Sequence, residues 1–278
     1  MSLSNFSIDE IIIRALKEDI NYVDVTTDYL IPEEQESTAA FISKANGILC
    51  GIDVALRTFK LLDGDMSFEI LKHDGDILEK SDVIARIHGK TRALLKGERT
   101  ALNILQHMSG IATATNAAVR EIAGTKASIA DTRKTLPGLR MLEKYAVAVG
   151  GGRNHRFNLS DAAMIKDNHI DATGSITKAV ETLRSKIGHT IKIEVETRNL
   201  DEVKEALASG ADIIMLDNMD NDTMKKAVEI IGGKALVEAS GGITAGNLKS
   251  VAETGVDIIS VGALTHSVKA FDISMKII

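Results

Sequence analysis

From about residue 127 onward, short apolar runs alternate with stretches whose apolar positions recur at helical spacing. Strand-like runs begin near Ile191 (IKIEVE), Asp212 (DIIMLD), Ala235 (ALVEAS) and Asp257 (DIISVG), and their spacings of 21, 23 and 22 residues match one strand–helix unit. Two earlier runs, ASIAD at 127–131 and AAMIKD at 162–167, read the same way. Residues 199–209 and 222–231 carry helical patterns between them. The repeat is also visible in letters. SGADIIMLDN (209–218) and TGVDIISVGA (254–263) share Gly-x-Asp-Ile-Ile 45 residues apart, which is two units. Strands without alternation of polar and apolar positions are covered on both faces, so the pattern predicts a parallel sheet under helices, a barrel or an open doubly wound sheet. Six units without a GxGxxG turn after the first strand favour the barrel-like arrangement.

The first third has a different rhythm, an α+β one. Ile8 to Lys17 has helical spacing, and 24–28 is a polar turn. Runs at 39–49 and 66–71 predict strands bounded by glycine turns at Gly47, Gly64 and Gly75, and HDGDILEKSDVIARIHGK predicts short strands around an Asp-Gly turn. Gly97-Glu98-Arg99 predicts the start of a helix with Leu102, Leu105 and Met108 on its apolar face and Gly110 at its end.

Composition adds exclusions. With no tryptophan, three tyrosines and six phenylalanines, there is little to stack on nucleic-acid bases. No apolar run is long enough to span a bilayer, and the N-terminus lacks the features of a signal peptide. A single cysteine, Cys50, excludes an internal disulfide and a cysteine-only metal cluster, so a reducing cytoplasm is the expected location. The formal net charge is −6, yet the 39 residues from Asp131 to His169 hold seven Arg and Lys against four Asp and Glu, a local +3. A cationic island in an acidic protein focuses its field on small anions rather than a long polyanion, and arginines set among glycines suit carboxylate or phosphate.

The chemistry-bearing residues follow the strands. Asp131, Arg133 and Lys134 come after ASIA, Lys166 after AAMI, Glu196 at the end of IKIEVE, Asp217 at the end of DIIML, and Ser240-Gly241-Gly242 after ALVEA. C-terminal strand ends are where βα-loops assemble active sites. Ser240, Gly241, Gly242, Gly262 and the nearby His266 suit a phosphate, because glycines let backbone N–H groups approach an anion. Glu196 and Asp217 end neighbouring strands, and as a carboxylate pair they suit Mg²⁺ or the hydroxyls of a ribose.

These words together resemble the quinolinate phosphoribosyltransferase family. They are ERTALNILQHMSGIAT (98–113), DTRKTLPGLR (131–140), GGGRNHRFNLSDAAMIKDNH (150–169), IEVET (193–197), DIIMLDN (212–218), EASGGI (238–243) and DIISVGALTHS (257–267). The resemblance implies an N-terminal α/β sandwich domain over 1–110, completed by 268–278, and an open seven-stranded, TIM-like α/β barrel over 111–267. It implies transfer of phosphoribosyl from 5-phosphoribosyl-1-pyrophosphate to quinolinate with Mg²⁺, giving nicotinate mononucleotide, pyrophosphate and CO₂ in NAD biosynthesis. By motif position, Arg133, His155, Arg156 and Lys166 would hold the quinolinate carboxylates. Lys134 would lie near pyrophosphate or carboxylate, and Glu196 and Asp217 on the ribose and magnesium side. Ser240, Gly241, Gly242, Gly262 and His266 would hold the 5-phosphate. A homodimer is implied, with Arg99 entering the site of the partner subunit. A Schiff-base barrel using Lys166 or Lys192, a molybdenum-transport-associated relative and a non-catalytic phosphate-binding barrel are the rival readings.

Overall fold

The computed structural model describes residues 3–278. In chain order it begins with α1 (Asn5–Asp19), α2 (Thr27–Leu30), β1 (Glu36–Ser43), β2 (Gly47–Ile48), α3 (Ile52–Leu62) and β3 (Ser67–Ile70). Then come β4 (Ile77–Leu78), β5 (Val83–Lys90), α4 (Thr91–Glu121), β6 (Ser128–Ala130), α5 (Arg140–Val149) and β7 (Ala163–Ile165). Next are α6 (Asp167–Thr173), α7 (Ile176–Arg184), β8 (Ile193–Thr197), α8 (Leu200–Ala208), β9 (Ile213–Asp217) and α9 (Asn221–Ile231). The chain closes with β10 (Leu236–Ser240), α10 (Leu248–Ala252), β11 (Ile258–Ser260), α11 (Ala263–His266) and β12 (Ile273–Ile277). These elements gather into two compact units. One holds the residues up to Asn116 with Thr135–Gly151 and Thr265–Ile278, the other Ala117–Lys134 and Gly152–Leu264.

The first unit is built on an antiparallel sheet ordered β12-β1-β5-β3. Its last strand comes from the C-terminal tail, Ile273 to Ile277 pairing with Ser43 to Ala39. The sheet buries Phe41, Ile87 and Met275 against Phe59 of α3 and Leu94 and Leu105 of α4. Here the expected helix boundaries are corrected. α4 starts at Thr91 and runs unbroken through both Gly97 and Gly110. Neither glycine is a terminus. A Cβ on Gly97 would lie 2.8 Å from the Phe59 ring, and one on Gly110 would collide with the Lys269 carbonyl, so both serve close packing.

The second unit holds all six expected strands in one parallel sheet ordered β6-β11-β10-β9-β8-β7. The inner strands are Ile- and Val-rich and buried, as the lack of alternation implied. Three of the connecting helices start from side-chain caps: Ser175 accepts from the Lys178 N–H, Asn199 from those of Asp201 and Glu202, and Asp220 from that of Thr223. The expected seventh strand is not formed among the described residues. β6 and β7 are the sheet's edges, and beyond β6 lies a single parallel bridge from Ala130 to Arg153. The segment there, Gly-Gly-Gly-Arg-Asn-His-Arg, has no apolar run to bury as a strand.

Candidate functional site

Because the six strands are parallel, their C-terminal ends lie together, and a cavity of about 620 Å³ opens over them. Its wall comprises Thr132, Arg133, Lys134, His155, Arg156, Met164, Lys166, Glu196, Met215, Asp217, Asn218, Glu238, Ser240, Gly241, Gly242 and Ser260. The volume suits a small-molecule ligand.

The cationic side rests on Asp131, which is fully buried just after β6. Its carboxylate accepts the Asn154 side-chain N–H at 2.6 Å and the His155 backbone N–H at 2.8 Å. Backbone bonds from Arg153 N–H to Ile129 O and from Asp131 N–H to Arg153 O tie the same loop to β6. Asp131 thus presents residues 154–156 to the cavity. The Arg156 guanidinium donates to Ala162 O at 3.0 Å, while burial and then the neighbouring Arg133 guanidinium lower its pKa from the ordinary arginine value. Two crowded guanidinium groups on a cavity wall are electrostatically relieved by an anion.

On the acidic side, Lys166 Nζ and Glu196 Oε2 pair at 2.5 Å. That pairing occupies the amine, which argues against Lys166 as a Schiff-base nucleophile. Asp217 ends β9 and accepts from the Asn218 side-chain amide at 2.8 Å. Asn218 sits at φ +53° and donates its backbone N–H to Ser240 O. Gly241, at φ +88°, passes so close to the Asn218 amide that a Cβ would collide with it. The glycine therefore holds the Ser240–Gly242 loop against the strand carrying Asp217. α10 begins only at Leu248 and has five residues, so the expected phosphate contact at this corner would come from the loop and not from a helix terminus.

In the cavity wall, His155, Glu194 and Glu238 form a compact cluster. The Arg156 backbone N–H donates to His155 Nδ1 at 2.8 Å, so the ring proton sits on Nε2, 3.0 Å from Glu194 Oε2 and 3.6 Å from Glu238 Oε1. Glu194 and Glu238 are each 1% exposed. Burial first, and the Glu194 charge second, push the Glu238 carboxyl up to about 7. A folded pKa above the unfolded one means a proton held more tightly by the fold. Its stability contribution is present below about 4.5 and is lost as pH rises through about 7. Thermal stability should therefore decline across that window by on the order of 2–3 kcal/mol from this group, and Glu238→Gln should flatten the decline. Calorimetry at several pH values checks this; equal slopes in both proteins would rule it out.

Ten of the sequence-predicted site residues line the cavity: Arg133, Lys134, His155, Arg156, Lys166, Glu196, Asp217, Ser240, Gly241 and Gly242. Gly262, Arg99 and His266 are not in its wall. Gly262 lies two residues beyond β11, whose Ser260 lines the wall instead. His266 is exposed at the end of α11 with Nδ1 2.7 Å from Ser267 Oγ, and Arg99 is exposed on α4 in the first unit. Glu238 escaped the sequence reading, although a carboxylate inside the otherwise apolar ALVEA run was a usable signal.

Comparison with known proteins agrees with this geometry. Residues 24–109 match the N-terminal domain of quinolinate phosphoribosyl transferase and residues 111–276 its C-terminal domain. The probable nicotinate-nucleotide pyrophosphorylase [carboxylating] of Bacillus subtilis is 48% identical over 94% of this chain and 90% of its own length. Its counterpart from Synechocystis is 47% identical over 95% of this chain and 90% of its own length. The crystal structure of NadC from Streptococcus pyogenes superposes with a TM-score of 0.96 at 42% identity, covering 99% of this chain and 98% of that one. With both domains matched in order and the fold shared along its length, the chain belongs to the quinolinate phosphoribosyltransferase family.

Proposed function

We propose that the cavity carries out the family reaction, phosphoribosyl transfer to quinolinate with loss of CO₂, in NAD biosynthesis. The observation that carries this reading is the division of the wall into a crowded pair of guanidiniums, Arg133 and Arg156, and a carboxylate side, Glu196 and Asp217. Quinolinate is a dianion, and its carboxylates match the arginines with Lys134 and Lys166 alongside. His155 has both ring nitrogens engaged within the protein, so its part is to hold Arg156 in place. The 5-phosphate of the ribosyl donor takes the Ser240–Gly242 loop, with Gly262, two residues beyond β11, completing it. As pyrophosphate leaves, positive charge develops at the anomeric carbon, and Glu196 and Asp217 are the carboxylates available to stabilise it.

Mg²⁺ fits the same two side chains, since a hard ion takes one or two carboxylates plus substrate phosphates, and here two oxygen donors share one cavity wall. Glu196 and Asp217 would hold it, Lys166 yielding its pairing with Glu196, and the ion would supply charge neutralisation at the departing pyrophosphate. The His155–Glu194–Glu238 cluster suits it less, because His155 Nε2 and Glu194 Oε2 are already at hydrogen-bonding distance, 3.0 Å.

The remaining parts of the reading are the open barrel, with the Arg153 bridge as its vestigial seventh strand, a cytoplasmic location and a homodimer. The location is supported by the composition, with buried Cys50 as the chain's one thiol, and among the described residues no helix is long and apolar enough to cross a membrane. Exposed Phe6, Tyr22, Tyr29 and Leu30 in the first unit supply apolar surface for a dimer, and Arg99 has no ion-pair partner among the described residues.

Quinolinate-dependent pyrophosphate release by the purified protein tests the assignment. Nicotinic acid, which lacks the 2-carboxylate, leaves a guanidinium without its partner and should be used with kcat/KM lower by roughly 10²-fold or more. Comparable values for the two acids would refute it.

A further inference from the structure

Decarboxylation leaves a proton to be found. When the C–C bond to the 2-carboxylate breaks, CO₂ departs and the electron pair stays on the ring carbon beside the cationic ring nitrogen. A C–H bond must then form there, and the proton needs a donor in the cavity. Lys134 and Lys166 serve as cations beside the quinolinate carboxylates, and His155 points its ring proton toward Glu194. Glu238 is different. It lines the cavity, is 1% exposed, and its Oε1 has no hydrogen-bond partner among the described residues.

The cluster itself dictates where a proton resides. One ring N–H of His155 faces two carboxyl groups, and the shorter distance gives it to Glu194, at 3.0 Å against 3.6 Å. Two adjacent buried carboxyl groups sharing one imidazole N–H raise the cost of charging both, and Glu238, the more distant, is the one that favours the acid form. Glu238 is then the group of the pair that favours the acid form, in the cavity wall, with its Oε1 lacking a hydrogen-bond partner among the described residues.

We propose that Glu238 is the proton donor to the ring carbon exposed by decarboxylation, on the reading that this cavity converts quinolinate. The O–H bond of Glu238 breaks as the C–H bond forms, the electron pair of the departed carboxylate takes the proton, and Glu238 becomes a carboxylate that regains its proton from water after product leaves. The groups facing it set its charge state: Glu194 from β8 and Asp131 after β6 favour the acid, and His155 and the Ser260 hydroxyl from β11 favour the carboxylate. With its pKa pushed up to about 7, the acid form is present near neutrality and declines as pH rises through that value. General acids are typically worth about 10²- to 10⁴-fold.

The test follows pyrophosphate and CO₂ separately in the full-length protein with quinolinate, phosphoribosyl pyrophosphate and Mg²⁺. In Glu238→Gln, CO₂ release should fall by about 10²-fold or more while pyrophosphate release falls by less than about tenfold, so the dicarboxylated mononucleotide accumulates. Equal slowing of both, or CO₂ release that keeps pace with transfer, would overturn the proposal. Formic acid should restore CO₂ release to Glu238→Ala, and a folded variant that is not rescued counts against Glu238. The wild-type protein gives a reading free of any folding defect: the ratio of CO₂ to pyrophosphate release should drop above pH of about 7. A ratio constant across that value overturns the idea. Absence of any pyrophosphate release by the wild type would instead refute the underlying assignment and leave the two failures distinct.

Discussion

Arg133→Ala should weaken quinolinate binding by roughly two orders of magnitude or more, while Asp217→Ala leaves it within a few-fold. Arg133 and Arg156 share one wall, and the Arg133 charge adds to the cost of the partly buried Arg156 guanidinium. Removing one guanidinium takes away a charge-assisted, bidentate partner in a partly desolvated site, a loss on the order of 2–4 kcal/mol. Asp217 stands on the other side, beside Asn218 and the Ser240–Gly242 loop, where the ribosyl donor is expected. Its truncation should instead depress turnover with phosphoribosyl pyrophosphate and Mg²⁺. Calorimetry with quinolinate alone separates the two. Loss of quinolinate binding in folded Asp217→Ala would contradict the division of the wall.

That division was largely legible in the sequence, for a physical reason. Covered parallel strands are mostly apolar, so the polar residues that close each run mark the strand's C-terminal end. Parallelism then brings all such residues to one side, which is why Lys166, Glu196 and Asp217 could be grouped without knowing any distance. Legibility failed where a residue serves packing or a network instead of an end. Gly97 and Gly110 read as helix punctuation, yet they are small because Phe59 and the Lys269 carbonyl press on α4. Glu238 is buried within β10, and its meaning depends on Glu194 two strands away and on His155 from a loop, neither of which spacing along the chain reveals. Asp131 is similar: it reads as a strand-end site residue and acts as the staple for residues 154–156. The grouping of 135–151 with the first unit also has no signature in hydrophobic period, because α5 is as amphipathic as the helices of the second unit.

Mixing two inactive variants should restore activity if the proposed dimer shares its sites. Arg99 is exposed on α4 and belongs to the first unit, whereas the cavity wall is built wholly from the second. In an isologous dimer, an arginine lent to the neighbour's cavity is lent in both directions. Arg99→Ala removes the lent cation and Lys166→Ala removes a cation of the recipient wall, so each homodimer should be nearly inactive. After unfolding and reassembly of an equal mixture, half the dimers are mixed. Each mixed dimer has one site carrying both defects and one carrying neither, so roughly a quarter of wild-type sites should return. Activity at that level, tracking the heterodimer fraction seen by mass spectrometry, is the expected result. Heterodimers present without recovery would mean that Arg99 serves its own subunit or only the fold.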